Sequence, residues 1–286
     1  MTEGAGLEGL RVVDFSTQIA GPYCTKLLAD AGAAVVRVEP PAGDPGRRWS
    51  STGPVPEDED AALFTFLTTG KDAIRGTSRD PEVTSAVAAA DVVVHAYGLE
   101  HDTGERLGTE RLLLERPELV VLSITPYGTT GPWRDRRATE FTLQAECGSI
   151  GIRGVPGREP YQAGGRIAEW SAGAYGAVAA LAAVARARRG GGGAHVDLSI
   201  LEVANLIFTN FSEPMNRLLN GTPDDPELAF LAPSIETPSI EPTADGYVGF
   251  CTNARQQFND FLVLIDRPDL LDDPELGTVA GRNRRL

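Results

Sequence analysis

The sequence predicts an α/β fold built on an open parallel sheet, and three observations carry that expectation. Short β-branched apolar runs at residues 12–15, 35–38, 92–94 and 119–124 are bounded by turn residues, the pattern of strands covered on both faces. Segments with helical spacing at 23–31, 80–89 and 105–114 fall between them, so strands and helices alternate. At 286 residues and 42% hydrophobic content, the chain is long enough to bury one large core with a small appendage.

The opening reads as a buried strand, a tight turn, a helix starting at Pro22 and a second buried strand. Residues 40–60 form a long polar loop rich in proline and glycine, of a length that is often functional. Residues 172–189 read as a helix of small residues whose last turn carries Arg186, Arg188 and Arg189, cations that suit a helix C-terminus. Four glycines, 190–193, then stop it. They are not a phosphate loop, because no Gly-Lys-Ser/Thr follows and they close a helix where a phosphate loop would open one. His195 to Ser199 reads as a strand leading into a helix at 200–208. Its His, Asp and Ser make a hydrolase set only on paper, since neighbouring residues on a strand point to opposite faces. After Asn220 the texture changes to a linker at 221–226, an irregular stretch at 233–242, a strand at 246–250 and a helix at 256–265. The expected division is a large domain at 1–220, then a linker and an incomplete small domain at 221–286.

A formal charge of -14 argues against nonspecific binding to nucleic acid or anionic membranes, since both need a basic face. Any phosphate must find a local basic pocket, and the basic residues are arginines apart from Lys26 and Lys71. Cys24, Cys147 and Cys251 are odd in number and far apart, which suggests neither a disulfide framework nor a zinc site and fits a reducing compartment. His95 and His101 have no partners at metal-ligand spacing, so no metal is expected. No segment is read as reaching the roughly 18 to 20 apolar residues of a membrane span, and a soluble cytoplasmic protein is expected.

The wording of several segments resembles the family III CoA-transferases, the CaiB/BaiF family. They are the opening 7–41, Thr69-Gly70-Lys71, residues 90–94, 117–120, 126–132, 190–199, 243–248 and 267–274. Each is weak alone; their order is specific. The resemblance implies a Rossmann-like open parallel sheet as the large domain plus part of a small α+β domain. It also implies that two ring-like chains interlock, either as a homodimer or with a homologous chain. Members of the family are longer, so a truncated relative, a fragment and one half of a pair all stay open.

The resemblance implies a coenzyme A thioester as substrate, a carboxylic acid as acceptor and no tightly bound cofactor. In the family a carboxylate attacks the acyl carbon, forms a mixed anhydride and then holds CoA as a thioester. The matching position is Glu169, where the family has an aspartate. Glu140 matches an acid beside the family's active site. Gln18, Ile19 and Ala20 match backbone lying against the coenzyme, with the positive end of the following helix beside it. Tyr97, Arg106 and Arg137 match positions contacting adenine or phosphates, a role suited to a stacking ring and to charge-assisted bonds. Arg79 is a further candidate phosphate contact.

Two other functions are weighed against transfer. A catalytically degenerate paralogue serving as a structural or regulatory partner fits the Asp-to-Glu exchange. A 2-methylacyl-CoA racemase needs a histidine base where this chain has Thr139, which cannot act as a base near neutral pH. A nicotinamide dehydrogenase is set aside because residues 16–22 lack Gly-x-Gly-x-x-Gly.

Overall fold

The computed structural model describes residues 6–99, 106–150, 159, 161–208, 240–250, 252, 254–278, 281, 282 and 285. The chain divides into two compact units, one of residues 1–147 with 163–207 and one of 148–162 with 208–286. The expected boundary near 220, the linker at 221–226, His101 and Cys251 lie outside the described residues.

The first unit is a six-stranded sheet of β1 (Arg11–Asp14), β2 (Ala34–Glu39), β3 (Asp72–Arg75), β4 (Val92–Ala96), β5 (Val120–Thr125) and β6 (Ala194–Ser199). Its strand order is β3-β2-β1-β4-β5-β6, and every pairing is parallel. All residues of β4 and β5 are buried, which is why these strands are apolar apart from His95, Ser123 and Thr125. The first helices are α1 (Ala20–Asp30), α2 (Ala62–Thr68), α3 (Pro81–Ala89) and α4 (Thr109–Glu115); α5 (Glu140–Glu146), α6 (Ile167–Arg186) and α7 (Ile200–Phe208) follow. Strand order reverses between β1 and β4, so the loops leaving these two strands flank the crevice where open α/β sheets take their ligands.

The sequence reading misses α2 and β3. Only Phe64 and Leu67 of α2 are buried, and β3 is a mostly exposed edge strand reading Asp-Ala-Ile-Arg, so neither carries an apolar signal. Helix α1 starts at Ala20, two residues before Pro22. The proline sits in the first turn, where no N–H is needed for the helix ladder. Helix α4 starts at Thr109, with residues 106–108 outside it. Helix α6 begins at Ile167, five residues before the expected start, and closes through a wide turn at Ala187–Gly191.

The span Ile167–Gly191 is long and apolar enough, by length and composition, to cross a membrane, which corrects the expectation that no segment approaches that size. Its packing gives it another place. Helix α6 lies on α1, and a Cβ at Gly173 would stand 2.6 Å from the Ala20 carbonyl oxygen and 3.1 Å from the Cys24 nitrogen. At Gly176 a Cβ would meet Leu122 and Ile124 of β5 at 3.3 Å. The small residues of α6 therefore face the sheet and α1 inside the first unit.

In the described part of the second unit, β7 (Ile240–Pro242) pairs antiparallel with β8 (Tyr247–Gly249). Helix α8 (Arg255–Leu264) follows. Phe250 meets Phe261 edge-on at 4.9 Å, and Arg282 lies 4.3 Å from the Phe258 ring while donating to the Thr252 carbonyl at 3.0 Å. This small α+β cluster is held by aromatic contacts where the apolar surface is scarce.

Candidate active site

The β1–α1 turn begins on a buried polar anchor. Asp14 accepts from the Ser16 backbone N–H at 2.9 Å and from the Ser16 hydroxyl, and Thr25 of α1 donates to its other oxygen at 2.5 Å. Lys71 completes the cluster, donating to Thr25 Oγ1 at 2.6 Å and to the Pro22 carbonyl at 2.7 Å, with Asp14 at 3.5 Å. Burial pushes the Lys71 ammonium below its ordinary pKa, while Asp14 pulls it up. The start of α1 is thus pinned to β1, and a Cβ at Gly21 would fall 2.1 Å from Ser16 Oγ, so only glycine fits there.

Past that anchor the chain turns through Gln18, which holds a left-handed φ of 66°. Arg166, the N-cap of α6, holds φ 57°, and its Nη2 donates to Gln18 Oε1 at 2.8 Å. Left-handed backbone is uncommon for residues with a Cβ, and such strain collects at functional sites. Arg166 Nε donates to Glu169 Oε1 at 2.5 Å, Nη2 ion-pairs with the same oxygen, and the guanidinium stacks 4.3 Å from the Trp49 ring.

Glu169 is fully buried in the first turn of α6, and its Oε2 has no hydrogen-bond partner among the described residues. Burial pushes its carboxyl up to about 7, against the Arg166 charge and bond and the nearby Ile19 backbone N–H, which pull it down, and with Glu140 pushing it further up. A carboxyl held near neutral pKa with one oxygen gripped and one bare is equipped to attack an electrophile.

Glu140 supports that turn. Thr139 caps α5, its hydroxyl accepting from the Thr142 N–H at 3.1 Å, a structural use for the residue standing at the racemase-base position. Glu140 Oε1 then accepts from Gln144 Nε2 at 2.8 Å and from the Ala168 N–H of α6 at 2.9 Å. Gln144 in turn exchanges two hydrogen bonds with the Ala163 backbone at 2.8 and 3.0 Å. Glu140 Oε2 is buried without a partner among the described residues, like the second oxygen of Glu169.

At the end of β4, Tyr97 carries Arg106 over its ring at 5.0 Å, and Arg106 pairs with Asp135 at 2.9 Å. Arg137 donates to the Leu99 carbonyl at 3.1 Å, and the Ala138 N–H to the Gly98 carbonyl at 3.0 Å, tying the start of α5 to this loop. Gln18, Ile19, Ala20, Glu140 and Glu169 are thus joined through α6, while Tyr97, Arg106 and Arg137 form a second group at the neighbouring strand end. Arg79 stands apart: it is exposed beyond β3, with no side-chain bond to the other candidates.

Two groups escaped the sequence reading. The first is Arg166 with Trp49 and Gln144; an arginine three residues before Glu169 was the available signal. The second is an arginine-lined depression of about 790 Å³ at the ends of β2 and β3, bounded by Glu39, Asp44, Arg47, Arg48 and Arg75. There Arg47 bonds Glu39 at 2.6 and 2.7 Å and, with Arg37, holds that carboxyl down at about 2. The Arg75 side chain bonds none of the described residues and is exposed to the depression. The 40–60 loop is therefore organised by ion pairs, a feature its polar composition left unreadable.

Cys24 and Cys147 are buried, and burial raises the Cys24 thiol far above its ordinary pKa, so Cys24 is not a reactive nucleophile. His195 bonds Ser123 at 2.8 Å, Asp197 bonds the Thr129 N–H at 3.0 Å, and Ser199 bonds the Pro126 carbonyl at 3.3 Å. Their separate partners rule out a hydrolase triad among them. No cluster of metal-ligating residues exists among the described residues.

Fold and site together define a Rossmann-ordered α/β protein that sets a buried carboxyl against the β1–α1 turn. The family model for CoA-transferase family III matches residues 7–286, and the chain belongs to that family. It is 32% identical over 286 residues to the succinate–glutarate CoA-transferase of Agrobacterium fabrum, covering 96% of this chain and 70% of that protein. It is 31% identical to the succinyl-CoA–D-citramalate CoA-transferase of Chloroflexus aurantiacus, covering 96% of this chain and 69% of that one. A crystal structure of a CaiB/BaiF family protein from Brucella suis superposes with a TM-score of 0.72 at 28% identity, covering 99% of this chain and 76% of that one.

Proposed function

We propose that Glu169 is the nucleophile through which this family III CoA-transferase moves coenzyme A from an acyl-CoA thioester to a carboxylic acid. The observation carrying this reading is the bare, buried Oε2 of Glu169, on a carboxyl that burial holds near pKa 7. Oε2 attacks the donor's acyl carbon, the C–S bond breaks, and CoA leaves as thiolate from a mixed anhydride. The thiolate then attacks Glu169 Cδ, releasing the donor carboxylate and leaving CoA as a thioester on Glu169. The acceptor carboxylate reverses both steps and restores the free carboxylate.

Around that step, Glu140 positions α6 by holding the Ala168 N–H. Gln18, Ile19 and Ala20 line the coenzyme's path, and Tyr97 with Arg106 and Arg137 receives adenine and phosphates. Arg79 and the Arg47, Arg48 and Arg75 depression offer the other local positive charge on an acidic chain. The working unit is taken as a homodimer or a pair with a homologous chain, supported by the apolar side chains that α6 exposes, Tyr175 and Val178. The buried, unbridged thiol of Cys24 supports a cytoplasmic setting.

Two relatives bear succinyl-CoA or succinate–glutarate names, so succinyl-CoA and glutarate are the first donor and acceptor to use. Intact-protein mass spectrometry after incubation with succinyl-CoA should show a CoA-sized adduct that is absent from Glu169→Ala. A folded wild type with no adduct would favour the degenerate partner instead.

A further inference from the structure

We propose that Arg166 is the seat of the acceptor acid's carboxylate, freed for that role when Glu169 becomes a thioester. The inference rests on Glu169 being the nucleophile and deepens that reading. It starts from charge balance. In the resting site Arg166 spends Nε and Nη2 on Glu169 Oε1 and one further bond on the neutral Gln18 Oε1, while Nη1 bonds none of the described residues. Glu169 is the sole carboxylate paired with this guanidinium among the described residues. Glu140, the other acid whose charge acts on Glu169, is committed to Gln144 and the Ala168 N–H.

Once Glu169 carries CoA, its oxygen no longer bears charge. A partly buried guanidinium, its side chain 28% exposed, then faces the new thioester without a counter-ion. An uncompensated charge in such a place is costly, and a planar fork of N–H donors matches a carboxylate in geometry and sign. Stacking on Trp49 at 4.3 Å and the bond to Gln18 at 2.8 Å hold the fork in place while its partner changes. The incoming carboxylate therefore docks beside the carbon it must attack. One of its oxygens bonds Glu169 Cδ as the C–S bond breaks and CoA leaves as thiolate. The thiolate takes the acceptor's acyl carbon, the anhydride C–O bond breaks, and the electron pair returns to Glu169 as the carboxylate that Arg166 regains. The exchange of one anion for another makes acceptor binding follow enzyme loading.

The test uses full-length wild type, Arg166→Lys and Arg166→Gln, each loaded with succinyl-CoA and followed by intact mass. Loaded enzyme is discharged with glutarate or with hydroxylamine, a neutral nucleophile that needs no carboxylate seat. The expected result is that Arg166→Gln still loads, needs at least tenfold more glutarate for half-maximal discharge, and reacts with hydroxylamine at the wild-type rate. Arg166→Lys should fall between. Unchanged glutarate dependence overturns the proposal, as does a parallel loss toward hydroxylamine, which would mark a structural role. Failure of Arg166→Gln to load at a pH above its raised loading midpoint, while the wild type loads, also overturns it. A wild type that does not load removes the Glu169 reading itself, a distinct outcome.

Discussion

Arg166 Nη2 reaches Gln18 Oε1 at 2.8 Å, joining two residues 148 positions apart that both hold left-handed backbone. Each such conformation costs on the order of 1–3 kcal/mol away from glycine, and here the two strained positions brace one another around Glu169. The bond couples the turn leaving β1 to the first turn of α6, and so places a carboxyl at the sheet's switch point.

Replacing Glu169 by Gln keeps shape and most packing but removes the carboxylate proposed as nucleophile. Steady-state transfer from succinyl-CoA to glutarate should fall by more than about 1000-fold, the scale on which loss of a covalent nucleophile is felt. Circular dichroism should confirm an intact fold, and activity within tenfold of wild type would remove Glu169 from the mechanism.

Folding raises the Glu169 carboxyl from 4.5 to about 7, so the folded state favours its protonated form. That contribution is fully present below about 4.5, is lost as pH rises through 7, and is on the order of 3 kcal/mol. Urea unfolding at pH 5 and pH 8 should therefore show wild type losing more stability than Glu169→Gln. In the same window the rate of enzyme loading should rise with pH as the carboxylate forms. Removing the Arg166 charge should move that midpoint upward.

Tyr97 and Arg106 are read as a coenzyme contact, so Tyr97→Ala and Arg106→Ala should raise KM for the CoA ester several-fold to about thirtyfold with little change in kcat. Arg106→Ala should show its largest effect at low salt, since the side chain is exposed. An unchanged KM in both would move the coenzyme elsewhere.

Gly173 lies where α6 crosses α1, and a Cβ added there would stand 2.6 Å from the Ala20 carbonyl oxygen. Gly173→Ala should destabilise the protein by about 1–3 kcal/mol in urea unfolding and lower transfer activity by displacing the β1–α1 turn. Gly164→Ala, whose added Cβ meets nothing within 4 Å, is the control and should change neither.

The buried Lys71–Asp14 pair should behave as a unit. Lys71→Met leaves Asp14 buried without its cation and should cost about 3–5 kcal/mol, while adding Asp14→Asn should recover part of that loss. Strict additivity in a double-mutant cycle would show that the pair is not coupled.

Much of the first unit was legible along the chain because its strands are buried on both faces, so that β4 and β5 read as runs of valine, leucine and isoleucine. The exposed elements were not: β3 carries Asp72 and Arg75, and α2 buries only two side chains. Glu169 and Glu140 could be singled out from a resemblance of local wording. Arg166 could not, because an arginine near a helix start is ordinarily a solvated charge.

By itself the sequence determined the alternation of strand and helix, the small-residue face of α6 and the family to be expected, since those are properties of neighbouring residues and of segment order. Only the tertiary structure decided the strand order, the bond from Arg166 to Gln18, and the bare oxygens of Glu169 and Glu140. Hydrogen bonding, burial and charge pairing depend on which distant segments meet, and these contacts bridge residues as far apart as 148 positions. The chemistry of Glu169 is set by that meeting: burial raises its pKa, and the guanidinium that opposes the rise is itself held by the turn after β1.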